Sequence, residues 1–367
     1  MKQLNIMIKP ASSLCDMRCG YCFYNDVVAH RSSASLGIMS RDTAAKLIKN
    51  VFSVLTAGDR ITFAFQGGEP GLAGLDFFMF FADEVKKYNA TRAVVSYAMQ
   101  TNGLMLDEKW CAFLKEHNFL VGLSLDGDMA LHNRNRMDSL GKGTFNRVMN
   151  AKKLMDSHGV AYNILCVLTK ENARRAKRIW DFIIKEKISH IQFIPCLEPL
   201  NGHNPTALTG DRFHQFYATL FPLWKVEALK GNIVSVRLFD DLALLLLGGQ
   251  PVTCGISGRC YPQIIVEADG GVYPCDFYVL DEYRVSDLSQ YNLQTAFEAV
   301  VNSGFANVAR QFSPFCAECT HRRWCNGGCK RMVNAVYGNP CGMKLFLDEC
   351  LQELLLTYKT LHKRFHA

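Results

Sequence analysis

The sequence predicts an α/β protein: a partial (β/α)6 barrel-like parallel sheet, followed by a smaller cysteine-rich region. Three observations carry this. Short apolar runs alternate with amphipathic helical patterns about six times over roughly the first 200 residues. The runs end in polar or glycine-rich segments, where a β/α sheet gathers its chemistry. The cysteines crowd into the first 22 residues and beyond residue 253. A closed barrel needs about eight units, so an incomplete one is expected.

The elements follow in order. "LNIMI" (4–8), "ITFAFQG" (61–67), "VVSYAMQT" (94–101), "FLVGLSLD" (119–126), "YNILCVL" (162–168) and "HIQFIPC" (190–196) read as buried strands. Between them "SRDTAAKLIKNVFSVL" (40–55) reads as a helix. Ser40 is its N-cap, and Ala44, Leu47, Ile48, Val51 and Leu55 fall on one face. Further helices are predicted over 75–88, 106–117, 143–158 and 171–186. The strand ends "QGGEP" (66–70), "QTNG" (100–103), "SLDG" (124–127) and "CLEP" (196–199) form a candidate binding rim. The alternation breaks in "EPLNGHNPTALTGD" (198–211), and a helix follows over 211–229. We divide the chain into 1–232 and 233–367. In the second part "EADGGVYPCDFY" (267–278) reads as a hairpin around Asp269-Gly270-Gly271. The end, about 342–365, reads as helix.

With 367 residues, 49% of them apolar, the chain can bury a substantial core. Its formal charge of +7 is scattered. The densest basic stretches, "KENARRAKR" (170–178) and "HKRF" (362–365), read as solvated helix faces, so no nucleic-acid partner is expected. No apolar run approaches the roughly 18 residues of a membrane span. "MKQLNIMIKPASS" holds no secretory signal, and a cytoplasmic protein is expected.

Fifteen cysteines in such a chain are expected to be metal ligands or redox groups rather than disulfides. Cys15, Cys19 and Cys22 form C-x3-C-x2-C in "CDMRCGYC". Cys254, Cys260 and Cys275 come much later. Cys316, Cys319, Cys325 and Cys329 form C-x2-C-x5-C-x3-C, with Cys341 and Cys350 beyond. Cys111, Cys166 and Cys196 stand in apolar patterns and read as small core residues. A structural zinc takes four ligands. Three thiolates on a [4Fe–4S] cube leave one iron bare, and a bare iron can chelate an amine and a carboxylate.

The triplet, placed after the first strand of a repeated β/α pattern, resembles the radical S-adenosylmethionine (radical SAM) superfamily. The resemblance implies that Cys15, Cys19 and Cys22 hold a [4Fe–4S] cluster and that S-adenosylmethionine binds its open iron. "QGGEP" resembles the family's segment for the methionyl amino group, which marks Gly67, Gly68 and Glu69. Gln66, Ser124 and Arg136 are further candidates for contacts to cofactor or substrate. Arg136 offers a planar fork for a carboxylate. The later cysteines resemble a SPASM domain with two auxiliary [4Fe–4S] clusters. That implies Cys254, Cys260, Cys275 and Cys329 on one, and Cys316, Cys319, Cys325 and Cys341 on the other. Cys341 is chosen over Cys350 because "CGMKLF" (341–346) resembles the family's last ligand.

"IKPASSLCDMRCGYCFY", "FAFQGGEP", "LVGLSLDG", "HNRNR", "NILCVLT" and "YPCDFYVLDEYRVSDL" resemble, more narrowly, the anaerobic sulfatase-maturating enzymes. That implies oxidation of a cysteine or serine in an unfolded sulfatase C/S-x-P-x-R segment to Cα-formylglycine, begun by a 5′-deoxyadenosyl radical taking a Cβ hydrogen. It implies Asp276 of "CDFY" as the base and a reductase such as flavodoxin or ferredoxin. With the first strand starting at residue 4, no N-terminal peptide-recognition domain is expected. Two alternatives stay open from the residues alone. One is a radical maturase forming thioether or other crosslinks in a ribosomal peptide. The other is a non-catalytic multi-zinc scaffold.

Overall fold

The computed structural model describes residues 3–308 and 312–365. The chain divides into two compact units, one of residues 1–124, 133–162 and 262–308, the other of 125–132, 163–261 and 309–367. Each unit draws on both sides of residue 232.

The first unit opens with β1 (Gln3–Ile8), α1 (Phe23–Ala29), α2 (Arg41–Phe52), β2 (Arg60–Phe65), α3 (Leu75–Tyr88), β3 (Val94–Thr101), α4 (Glu108–Glu116) and β4 (Leu120–Ser124). After α5 (Met129–Asn135) it continues with α6 (Phe145–His158). Strands β1 to β4 pair in parallel, with Gln3 opposite Arg60, Arg60 opposite Val94 and Ala98 opposite Leu120. Helix α2 starts where its cap predicts: the Ser40 hydroxyl accepts the Thr43 N–H. Its predicted face is buried, with Ala44, Leu47, Ile48 and Val51 wholly inside. Each of the three larger side chains contributes about 1.5–3 kcal/mol in being taken from water. Phe63, Phe65, Phe78 and Phe81 meet edge-to-face between β2 and α3.

The predicted hairpin is present as β8 (Ile264–Val266) and β9 (Gly271–Tyr273), followed by β10 (Ser286–Asp287) and α10 (Leu293–Asn302). It is no separate module. β8 pairs in parallel with β1, Ile6 opposite Ile264, so the unit's sheet runs β10-β9-β8-β1-β2-β3-β4. This join brings the residues after the hairpin to the C-terminal ends of β1 and β2.

The second unit holds most of β5 (Ala161–Leu168), then α7 (Ala176–Lys185), β6 (His190–Pro195), α8 (Gly210–Lys230), β7 (Ser235–Val236) and α9 (Arg237–Leu246). Its three strands are parallel. The short α11 (Arg322–Cys325) precedes α12 (Gly342–Phe365), which packs on α8. Phe216, Tyr217, Phe221, Trp224, Phe239 and Phe346 fill the core between these helices. On the basic stretch at 170–178, Arg174 and Arg175 face Glu171, Lys177 pairs with Asp181, and Arg178 with Asp128. No helix among the described residues is long and apolar enough to cross a membrane.

Candidate active site and cysteine clusters

The three N-terminal cysteines lie on the loop between β1 and α1, and Cys22 is the N-cap of α1. All three are part-buried. The loop is fastened on two sides. On one, the carbonyls of Ser12 and Leu14 accept the N–H groups of Gly68 (2.8 Å) and Glu69 (2.7 Å). On the other, the N–H groups of Arg18 and Gly20 go to the carbonyls of Met137 (2.7 Å) and Asn135 (3.1 Å). The close approach explains the two glycines. Gly67 has φ +124°, and a Cβ on Gly68 would stand 2.1 Å from the Leu14 carbonyl oxygen.

Cys15 Sγ accepts the Met17 N–H at 3.4 Å and has Asn102 Nδ2 at 3.9 Å. Burial pushes the Cys15 thiol up to about 12, and Glu69, Asp16 and Cys19 push the same way against the Met17 hydrogen bond. A thiolate in that setting needs a positive centre, which a metal supplies. Among the described residues no three His, Cys, Asp or Glu side chains converge as a single-ion cage. Three sulfurs on one loop, with N–H donors turned to Cys15, fit the anchoring of a [4Fe–4S] cluster at three irons.

Glu69 ties the same loop to the end of β3. Its buried carboxylate accepts the Gly71 N–H (3.1 Å), the Thr101 hydroxyl (2.8 Å) and the Asn102 N–H (2.7 Å). Asn102 in turn gives its amide to Asp16 at 2.6 Å. The Glu69 side chain is thereby committed to backbone and neighbours, and positions the segment it belongs to.

Asp276 follows the hairpin and meets the ends of two strands. Lys9 Nζ, with no exposed surface, stands 2.5 Å from Asp276 Oδ1. Gln66 Nε2 donates to Oδ2 at 2.9 Å. The same ammonium lies 4.1 Å from the centre of the Tyr24 ring. Tyr24 itself is buried and gives its hydroxyl to Glu267, which Arg31 also meets at 2.7 Å. Lys9, Glu267 and Arg31 carry no local sequence signal of their place in the site, whereas Asn102 lies in the predicted rim segment "QTNG" (100–103). Lys9 directly follows the predicted first strand, and nothing local to it marks its distant partner.

Arg136 is buried rather than an exposed helix start, and its guanidinium lies over the Tyr21 ring at 5.5 Å. The flanking residues 135, 137 and 138 pair with the cysteine loop, so Arg136 is held beside it. Ser124 accepts from Gln100 Nε2 at 3.0 Å. The structure thus gathers Gln66, Gly67, Gly68, Glu69, Arg136 and Asp276 around the loop of Cys15, Cys19 and Cys22, with Ser124 at the end of β4.

In the second unit Cys316, Cys319, Cys325 and Cys341 line one small cavity, together with His321 and Tyr337. Burial pushes Cys325 up to about 11, with Cys341, Cys319 and Cys316 adding to it. Cys350 is buried on α12, with Glu349 and Glu353 as its charged neighbours. Burial pushes the Tyr337 hydroxyl well up, and Cys325, Cys329, Cys341 and Cys254 add to the shift. That hydroxyl donates to the Gly255 carbonyl at 3.1 Å. Cys260 belongs to this unit and Cys275 to the first. Cys111, Cys166 and Cys196 are buried.

Comparison with known proteins agrees with this arrangement. Residues 10–183 match the model of the radical SAM superfamily. A cysteine-type anaerobic sulfatase-maturating enzyme of Clostridium novyi is 39% identical over the whole of both chains. One from Clostridium perfringens is 40% identical over 90% of each. A serine-type enzyme of Klebsiella aerogenes is 28% identical over 92% of this chain and 82% of its own. Among solved structures, native anSMEcpe with bound AdoMet and the Cp18Cys peptide superposes with a TM-score of 0.89 at 36% identity, covering 98% of this chain and 99% of that one.

Proposed function

The chain belongs to the anaerobic sulfatase-maturating enzymes of the radical SAM superfamily, and from that membership we propose that it oxidises the active-site cysteine of an unfolded sulfatase segment to Cα-formylglycine. The observation that carries the reading is identity with cysteine-type enzymes, 39% end to end with one and 40% over 90% of each chain with another. The 28% shared with a serine-type enzyme favours cysteine over serine as the residue oxidised. Membership sets aside a multi-zinc scaffold and a peptide-crosslinking maturase.

Cys15, Cys19 and Cys22 would hold the [4Fe–4S] cluster. When bound, the cluster and S-adenosylmethionine supply a radical able to take a hydrogen from an unactivated Cβ. The residues of the chain do the rest. The two-sided fastening of the cysteine loop fixes where that hydrogen is met. Gly68 and Glu69 spend their N–H groups on Ser12 and Leu14, so the segment is rigid where the cofactor's amino group is to be received. Arg136 and Ser124 are assigned to the cofactor's carboxylate and neighbourhood. After the hydrogen atom leaves Cβ, forming the C=S bond of a thioaldehyde requires the thiol to give up a proton and one electron, and water then replaces the sulfur, which leaves as hydrogen sulfide, to give the aldehyde. Asp276 receives the proton, and its two oxygens are already oriented by Lys9 and Gln66.

Auxiliary clusters, when bound, would supply an acceptor for that electron. Cys316, Cys319, Cys325 and Cys341 would hold one. The family's lacing suggests Cys254, Cys260, Cys275 and Cys329 for the other. The first electron would come from a flavodoxin or ferredoxin. Fifteen cysteines, none of them in a disulfide, suit a reducing cytoplasm. The test is anaerobic incubation with S-adenosylmethionine, a reductant and a peptide bearing C-x-P-x-R or S-x-P-x-R. Mass spectrometry should find loss of the thiol and gain of the aldehyde in the cysteine peptide, faster than any change in the serine peptide. No change in either peptide would overturn the assignment.

A further inference from the structure

Lys9 is a fully buried cation just past β1, and its ammonium meets Asp276 of the candidate site. Its ammonium contacts Asp276 at 2.5 Å and faces the Tyr24 ring at 4.1 Å. Its stem packs on the glycine segment: a Cβ on Gly67 would lie 3.2 Å from Lys9 Cβ. Its backbone N–H donates to Val266 of β8 at 2.8 Å, the strand that leads into the hairpin carrying Asp276. A lysine is almost never wholly buried unless it is paired, because the desolvated charge is costly. Here the pairing partner is the residue assigned as base.

We propose that Lys9 is a positioning residue of the oxidation: with Gln66 it holds the Asp276 carboxylate in the orientation that meets the substrate thiol. Each oxygen has one fixed donor, Lys9 on Oδ1 and Gln66 on Oδ2, from the ends of adjacent strands β1 and β2. Neither oxygen can rotate without breaking one of these bonds, and the ammonium bond is charge-assisted. The lone pairs left over are therefore aimed by the scaffold. A second consequence concerns Asp276→Asn, which is isosteric but not neutral in effect. It strands the Lys9 ammonium in the interior, and breaking a buried pair by removing one partner is strongly destabilising.

The inference rests on the reading of Asp276 as the base, and one set of variants of the cluster-loaded enzyme separates the two. Lys9→Met should keep its iron, cleave S-adenosylmethionine and leave the peptide KM unchanged. Formylglycine formed per S-adenosylmethionine cleaved should fall about 10²-fold, the loss that a misplacement of about 1 Å produces. Lys9→Arg, which keeps a charged donor, should recover most of that coupling. In thermal unfolding, Lys9→Met with Asp276→Asn should lower Tm by less than the two single changes together. If Asp276→Asn uncouples but Lys9→Met does not, the Lys9 inference is wrong and the base survives. Unchanged coupling in Asp276→Asn overturns the base itself. Loss of iron and of cofactor cleavage in both Lys9 variants would make Lys9 a support of the fold only, and overturn its positioning role.

Discussion

The Glu69 carboxylate accepts the backbone N–H of Asn102 at 2.7 Å, binding the end of one strand to the end of the next from inside the protein. Burial pushes this carboxyl from its ordinary 4.5 up to about 7, against the three hydrogen bonds that favour its ionised form. The folded chain therefore keeps a proton there that the unfolded chain has released. Glu69's contribution is greatest below about pH 4.5 and is lost as the pH rises through about 7, about 3 kcal/mol in all. Glu69→Gln should remove this part of the slope. Urea midpoints of both proteins at several pH values between these limits test it, and parallel slopes would show Glu69 ionised throughout.

Replacing Cys15, Cys19 or Cys22 by Ala should abolish both 5′-deoxyadenosine release and peptide oxidation, because a cluster with two anchors does not hold its geometry. Liquid chromatography of the nucleoside products decides. A normal yield in any one of the three variants would remove that cysteine from the ligand set.

Cys341→Ala and Cys350→Ala should behave differently. The first thiol lines the cavity of Cys316, Cys319 and Cys325, and its loss should lower iron by about four atoms per chain, one cubane's worth. The second is packed on α12, and its loss should leave iron unchanged while lowering Tm slightly. Iron assay after anaerobic reconstitution reads both. The opposite pattern would exchange the two assignments.

Gly68→Ala should be far more damaging than an ordinary turn substitution. The added methyl would press on the Leu14 carbonyl 2.1 Å away, so the cysteine loop or the strand end must move. We expect S-adenosylmethionine binding to fall at least about 10²-fold. Isothermal titration of the reconstituted enzyme tests this, and near-normal affinity would mean that the loop yields easily.

Air should bleach the enzyme and release its iron, since a cluster with an exposed iron is lost on oxidation. The absorbance near the visible shoulder and the activity should fall together. Full activity in an iron-free aerobic sample would contradict the cluster chemistry altogether.

Much of the barrel-like part was legible because its signals are local. Alternation placed the six strands, and Ser40 with its apolar face placed α2. The cysteine triplet was legible from spacing. What stayed hidden depends on pairings between distant parts of the chain. Nothing local says that β8 will lie beside β1, so the sequence alone places the hairpin in a separate second region. That one pairing brings Lys9 to Asp276 and buries Glu267 against Tyr24 and Arg31. Helices α1 and α5 have seven residues each, too few to show a period, and the ten-residue α9 and α10 lie in the part of the sequence whose cysteines and turn residues dominate its pattern.

The backbone bonds that clamp the cysteine loop bear on how the enzyme matures. Fixing a residue's backbone costs about 1–2 kcal/mol of entropy, so ordering the eight positions from Cys15 to Cys22 costs on the order of 10 kcal/mol. In a zinc finger that ordering is supplied by the metal, and folding waits for it. Here Ser12, Leu14, Arg18 and Gly20 already anchor the loop to its neighbours through the polypeptide alone. Main-chain hydrogen bonds thus offset part of the ordering cost that in a zinc finger falls on the metal alone.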